Sequence, residues 1–224
     1  MMNRMFTIAI AVLLLQSALF AQEQKPFRYE KDVVRYETVS RETPPPAGCT
    51  MFVGSSTWTG WGKTFEEDFK GMNAVNRGFG GSKISDWLLV MDRLVTPHRP
   101  ARVLFFCGTN DLAHGAEPDK VIADFKTFLT RLRENNPDCK VYFVSVAKVH
   151  SRKKIWNKMD AVNDAVREMC KTDKNLFYVD VNTPMQGESG ETKEEYYKDD
   201  KLHLNRDGQK VWIPVLRRAV GLDD

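Results

Sequence analysis

The chain has 224 residues, with 33 Lys and Arg against 30 Asp and Glu, a formal charge of +3, and 42% hydrophobic residues. So balanced a composition excludes a strongly basic nucleic-acid binder, and the length exceeds what a disulfide-stapled miniprotein needs. Four widely spaced cysteines, Cys49, Cys107, Cys139 and Cys170, show no metal-ligand pattern, so neither a metal nor another cofactor is expected.

Arg4 precedes an apolar run from Phe6 to Leu15 that closes on Ser17-Ala18-Leu19-Phe20-Ala21. A charged head, a short apolar body and a small-residue end read as a secretory signal peptide over residues 1–21, and the run is too short for a good membrane span. Cleavage after Ala21 is expected, with the protein secreted or periplasmic. The segment carries one cation, so its removal takes the charge from +3 to +2. About 200 residues remain, enough for one well-buried domain.

Residues 22–48 read as an N-terminal strap: a short amphipathic helix within Lys25–Val39, ended by Pro44-Pro45-Pro46. The domain proper spans 49–224. Its first strand is Met51-Phe52-Val53, an apolar run that meets Gly54-Ser55-Ser56-Thr57. A helix is predicted from Trp58 to Phe69, with Trp61, Phe65 and Phe69 on one face. A short strand at Ala74–Asn76 then runs into Arg77-Gly78-Phe79-Gly80-Gly81-Ser82. Ile84, Trp87, Leu88, Met91 and Leu94 repeat at helical spacing. Arg102–Cys107 is a third strand, ending at Gly108-Thr109-Asn110-Asp111. Pro118 opens a helix whose apolar stripe runs from Val121 to Leu132. Val141–Val146 is a fourth strand, Lys154–Lys171 a helix and Leu176–Val179 a fifth strand. Asn182–Leu202 has no clear period and reads as a long surface loop, after which Asn205 caps the last helix. Alternating strands and helices at this spacing imply right-handed crossovers and a five-stranded parallel sheet covered on both faces. Cys139 at the start of the fourth strand and Cys170 at the end of the following helix fall at one end of that sheet, where an oxidising compartment would permit a disulfide.

Four polar clusters fall at strand ends or in the last loop: Gly54-Ser55-Ser56, Gly78-Phe79-Gly80-Gly81, Gly108-Thr109-Asn110-Asp111 and Asp200-Lys201-Leu202-His203-Leu204. Taken singly, each reads as an ordinary turn, cap or surface residue. Acyl transfer to a serine needs a base, a group that orients the base, and donors for the oxyanion. His203 can be the base and Asp200, three residues earlier, its orienter. The backbone N–H groups of Ser56 and Gly81, with the Asn110 carboxamide, can supply the oxyanion donors.

In sequence and order these stretches resemble the blocks of the SGNH hydrolases, the GDSL-like lipase/acylhydrolase superfamily. The resemblance is to the secreted bacterial branch carrying Phe-Val-Gly-Ser-Ser, Asn-Arg-Gly-Phe-Gly-Gly-Ser and Leu-His-Leu-Asn, and it spans nearly the whole mature chain. It implies a flavodoxin-like three-layer α/β/α sandwich and metal-independent ester hydrolysis. Mapped onto this chain, the nucleophile is Ser56, the oxyanion residues are Ser56, Gly81 and Asn110, and Asp200 and His203 complete a Ser-His-Asp triad. Ser55 stands where the family has aspartate, which leaves two adjacent hydroxyls; Ser56 is favoured.

Trp58, Arg77 and Trp156 are further candidates for substrate contact, with packing the competing reading for the tryptophans. Asp86, His114, His150 and Arg152 are next in interest. No long apolar lid is visible, which fits removal of a short acyl group, acetyl above all, from a small-molecule or glycan ester. A lysophospholipase, a thioesterase or a non-catalytic carbohydrate-binding module on the same fold are the alternatives.

Overall fold

The computed structural model describes residues 27–222, so the signal-peptide reading of residues 1–21 lies outside the described residues. The chain divides between Lys31 and Asp32. In the first unit the described residues are Phe27–Lys31, where the Phe27 and Tyr29 rings meet edge-on at 5.5 Å. All that follows concerns the second unit, except that the strap helix α1 begins at Glu30 and runs to Glu42.

Five strands form one sheet: β1 Thr50–Gly54, β2 Ala74–Gly78, β3 Arg102–Phe106, β4 Lys140–Val144 and β5 Leu176–Val179. Every pairing is parallel and the order is β2-β1-β3-β4-β5. That order is the flavodoxin-like one, with its switch of winding direction between β1 and β3. The middle strands are buried on both faces because helices cover both, which is why they read as apolar runs rather than as alternating ones.

The helices are α2 Ser56–Thr59, α3 Phe65–Asp68, α4 Ile84–Leu94, α5 Thr109–Ala113, α6 Pro118–Asn135, α7 Trp156–Cys170 and α8 Arg206–Ala219. Strand register puts Phe52, Leu104 and Tyr142 in one row across the sheet and Val53, Phe105 and Phe143 in the next, pointing to the opposite face. The first row joins Trp58, Phe65, Phe69 and Trp212 in one buried cluster. In the second, Phe105 packs on Phe125 and Phe128 of α6 at ring separations of 5.1 and 4.7 Å. The chain thus forms a three-layer α/β/α sandwich, and no helix among the described residues is long and apolar enough to cross a membrane.

Two expectations need correction, and the pairing left open for Cys139 and Cys170 is answered. The helix expected over Trp58–Phe69 is two short helices joined by a 3-10 turn at Gly62–Thr64, because Gly60 and Gly62 weaken a continuous helix. The segment 182–202 is more than a surface loop: it holds 3-10 turns at Thr183–Met185 and Glu194–Tyr196 and buries Met185, Thr192 and Tyr197. Cys139 and Cys170 are not paired with each other; all four cysteines are free thiols, three of them buried.

Candidate active site

The strand end that carries Ser55 and Ser56 is set by how tightly β1 approaches β3. Gly54 sits at φ +149°, and a Cβ there would lie 2.0 Å from the Phe106 carbonyl oxygen, so only glycine lets the strand end turn out of the sheet. Ser55 follows, its N–H donating to the Phe106 carbonyl at 3.1 Å. Ser56 then opens α2. As the first helical residue, its backbone N–H has no partner within the helix, and its hydroxyl enters the cleft.

The Ser56 hydroxyl donates to His203 Nε2 at 2.9 Å. On the far side of the ring, His203 Nδ1–H donates to Asp200 Oδ2 at 2.6 Å. An ionised carboxylate only accepts, so this bond assigns the proton to Nδ1 and leaves the Nε2 lone pair toward Ser56. Asp200 Oδ1 accepts from the backbone N–H groups of Leu202 and His203, both at 2.9 Å. Burial pushes the Asp200 pKa up, but the hydrogen bonds from the His203 backbone, the His203 ring and the Leu202 N–H outweigh it and bring it down to about 2. The carboxylate is therefore ionised throughout the working range. Lys201, between Asp200 and His203, is held at φ +53°, an uncommon backbone for a side-chain-bearing residue.

The loop that carries this pair is clamped at its exit. Arg206, the first residue of α8, grips Asp68 of α3 through both guanidinium arms, at 2.5 and 2.7 Å, and Trp61 Nε1–H donates to the same carboxylate at 2.8 Å. The Asn205 side chain caps α8 by accepting from the Gly208 N–H at 3.0 Å.

Asn110 lies 7% exposed in the first turn of α5, at the end of β3. Its Nδ2 donates to the Ser82 carbonyl at 3.1 Å, while its Oδ1 accepts from Arg152 Nη2 at 2.8 Å. A carbonyl acceptor on one side and a guanidinium donor on the other leave one orientation for the carboxamide and keep its second N–H for another acceptor. Gly81, at φ +78°, immediately precedes Ser82, so the block containing it adjoins Asn110. Next to Asn110, the Asp111 side chain is 4% exposed and accepts from the Ile84 N–H at 3.0 Å, tying α5 to α4. Burial raises its pKa to about 6.

Ser56, Asn110 and His203 share a solvent-open cleft of about 380 Å³, walled by apolar side chains including Phe106, Val149, Leu204 and Trp212. Arg152 and Tyr197 line it as well. Tyr197 escaped the sequence reading because it sits in a stretch without period. Among the described residues, no group of three or more His, Cys, Asp or Glu side chains could hold a metal ion.

The three expected substrate contacts lie elsewhere. Trp58 has no exposed surface; its indole donates to the Val53 carbonyl and its rings pack on Phe52, Phe106 and Trp212. Arg77 is 4% exposed on β2, where it donates to Ser40 Oγ at 2.5 Å and stacks over Tyr36 of the strap. Trp156 donates to the Val149 carbonyl at 3.0 Å and lies against Lys148, His150 and Lys153, outside the cleft lining.

With this geometry in view, similarity to known proteins is informative. A profile of the GDSL-like Lipase/Acylhydrolase family matches residues 46–211. No match is found among curated proteins. An acylhydrolase candidate from Bacteroides fragilis NCTC 9343 shares the fold with a TM-score of 0.76 at 23% identity, covering 88% of this chain and 98% of its own. A GDSL-like lipase from Bacteroides thetaiotaomicron VPI-5482 does so at 0.73 and 24%, covering 84% and 96%. An acetyl xylan esterase is similar at 0.63 and 22%, covering 76% and 98%. The protein belongs to the GDSL-like lipase/acylhydrolase family and is a serine ester hydrolase.

Proposed function

We propose that the protein removes a short acyl group, acetyl above all, from a glycan ester outside the cytoplasm, with Ser56, His203 and Asp200 as its catalytic triad. The observation that carries this reading is the unbroken hydrogen-bond chain from Ser56 Oγ through the His203 ring to Asp200. Ser56 Oγ attacks the ester carbonyl carbon while its proton passes to His203 Nε2. The oxyanion is received by the Ser56 N–H, the Gly81 N–H and the second Asn110 amide hydrogen. His203 then gives its proton to the departing alcohol oxygen as the C–O bond breaks. Water attacks the acyl-serine, losing a proton to the same nitrogen, and the carboxylic acid leaves as Ser56 is reprotonated.

A short acyl group is supported by the apolar wall of the cleft beside Ser56, and an acetyl xylan esterase stands among the structural neighbours. The signal-peptide pattern of residues 1–21 supports export.

The test is hydrolysis of a nitrophenyl ester series from acetate to decanoate and of acetylated oligosaccharides, with Ser56→Ala and Ser55→Ala alongside. The expected outcome is a preference for acetate, with kcat falling roughly 10³-fold or more in Ser56→Ala and much less in Ser55→Ala. A preference for long chains removes the acetyl reading. Equal activity of wild type and Ser56→Ala removes the triad.

A further inference from the structure

Arg152 is the one arginine, lysine or carboxylate side chain in the lining of the cleft. It sits in the 3-10 segment His150–Ile155 at a kink in φ and ψ, and the Ser151 N–H donates to the Lys201 carbonyl at 3.2 Å, binding this segment to the loop that carries Asp200 and His203. Its one side-chain hydrogen bond runs from Nη2 to Asn110 Oδ1, a neutral acceptor. Among the described residues it has no carboxylate partner, and its Nε and Nη1 make no hydrogen bond. Burial lowers its pKa, and no neighbouring charge raises it.

An arginine half withdrawn from water without a counter-anion is electrostatically incomplete. Arg152 also belongs to a second, open groove, lined by Ala113 and residues 150–155. No acidic side chain lines that groove. Lys153 there is neutralised by Glu191 at 2.5 Å, while Lys154 forms no ion pair among the described residues. The groove that shares Arg152 with the cleft thus holds two basic side chains, Arg152 and Lys154, without a carboxylate partner among the described residues.

We propose that Arg152 receives an anionic oxygen group, a carboxylate or a sulfate, on the alcohol side of the ester. This rests on the short-acyl reading above: an acetyl group has no room for a charge, so the anion must belong to the alcohol. The planar guanidinium fork suits such an oxygen pair, and the basic groove beyond it suits an acidic sugar chain. By holding the Asn110 carboxamide oxygen, the same residue couples arrival of the anion to the group that faces the oxyanion.

The experiment compares three acetylated methyl glycosides that differ at one carbon: the glucoside, the glucuronoside and the glucoside 6-sulfate. The wild type is expected to favour at least one anionic ester over the neutral one by about tenfold or more in kcat/KM, mainly through KM; which anion is favoured names the source. In Arg152→Gln the ratio of anionic to neutral kcat/KM should collapse to about one, and Arg152→Lys should keep part of it. Calorimetric binding of the same three compounds to Ser56→Ala, which is independent of turnover, should show the same order. Nitrophenyl acetate turnover with no anionic preference in kinetics or binding overturns the Arg152 assignment and leaves the esterase reading standing. So does a preference that survives in Arg152→Gln. Absence of all ester turnover removes the esterase reading, while binding to Ser56→Ala still decides whether Arg152 receives an anion.

Discussion

Ser56 Oγ and His203 Nε2 lie 2.9 Å apart although 147 positions separate them in the chain. Ser56 is placed by the end of β1, the first strand of the sheet, and His203 by the loop before the last helix. Their meeting depends on Asp200, which fixes the ring's proton on Nδ1. An asparagine at 200 can donate to Nδ1 and so favours the other tautomer, whose Nε2 carries a proton and cannot take one from serine. Asp200→Asn should lower kcat on nitrophenyl acetate by roughly 10²- to 10⁴-fold with little change in the circular dichroism spectrum. A loss below tenfold would take Asp200 out of the triad.

The buried Asp111 should leave a signature in the pH dependence of stability. Its folded pKa, about 6, lies above the ordinary 3.8 of a free aspartate, because burial penalises the charge and its Oδ2 has no partner. A group raised in this way contributes its full stability below about pH 4, and that contribution is lost as pH rises through 6. Asp111→Asn keeps an acceptor for the Ile84 N–H and does not titrate. The stability of the wild type relative to the variant should therefore fall by on the order of 2 kcal/mol between pH 4 and pH 7. Urea melts at unit pH steps measure it; a pH-independent difference would show that Asp111 is not raised.

Gly208 sits in the first turn of α8, where helix propensity alone favours alanine by about 1 kcal/mol. Here a Cβ would lie 2.2 Å from the Tyr196 carbonyl oxygen, which belongs to the segment leading to Asp200 and His203. Gly208→Ala should destabilise the protein by about 2 kcal/mol or more and reduce kcat by displacing His203. An increase in Tm would contradict the contact.

Trp58 is core, although it is two residues from Ser56. Trp58→Phe should cost roughly 1–3 kcal/mol through the cavity left and the lost indole bond to the Val53 carbonyl, with KM for acetylated glycans unchanged. A several-fold change in KM without loss of stability would return it to the substrate.

The sheet, its five strands and the residues at their carboxyl ends were legible in the sequence because they rest on local rules. Buried parallel strands read as apolar runs, helices as stripes at 3.6-residue spacing, and Asn205 as a cap. The chain order of Ser56, Gly81, Asn110, Asp200 and His203 added a constraint that single residues lack. What the tertiary structure decided depends on directions and approaches that local patterns do not encode. Whether Trp58 faces the cleft or the core turns on the interruption at Gly60 and Gly62, and whether Arg77 reaches the cleft turns on the side of the sheet edge its strand presents to the strap. Arg152 lies 42 positions from Asn110 and follows a different strand. Only the packing of strand ends side by side could place an uncompensated guanidinium against the Asn110 carboxamide.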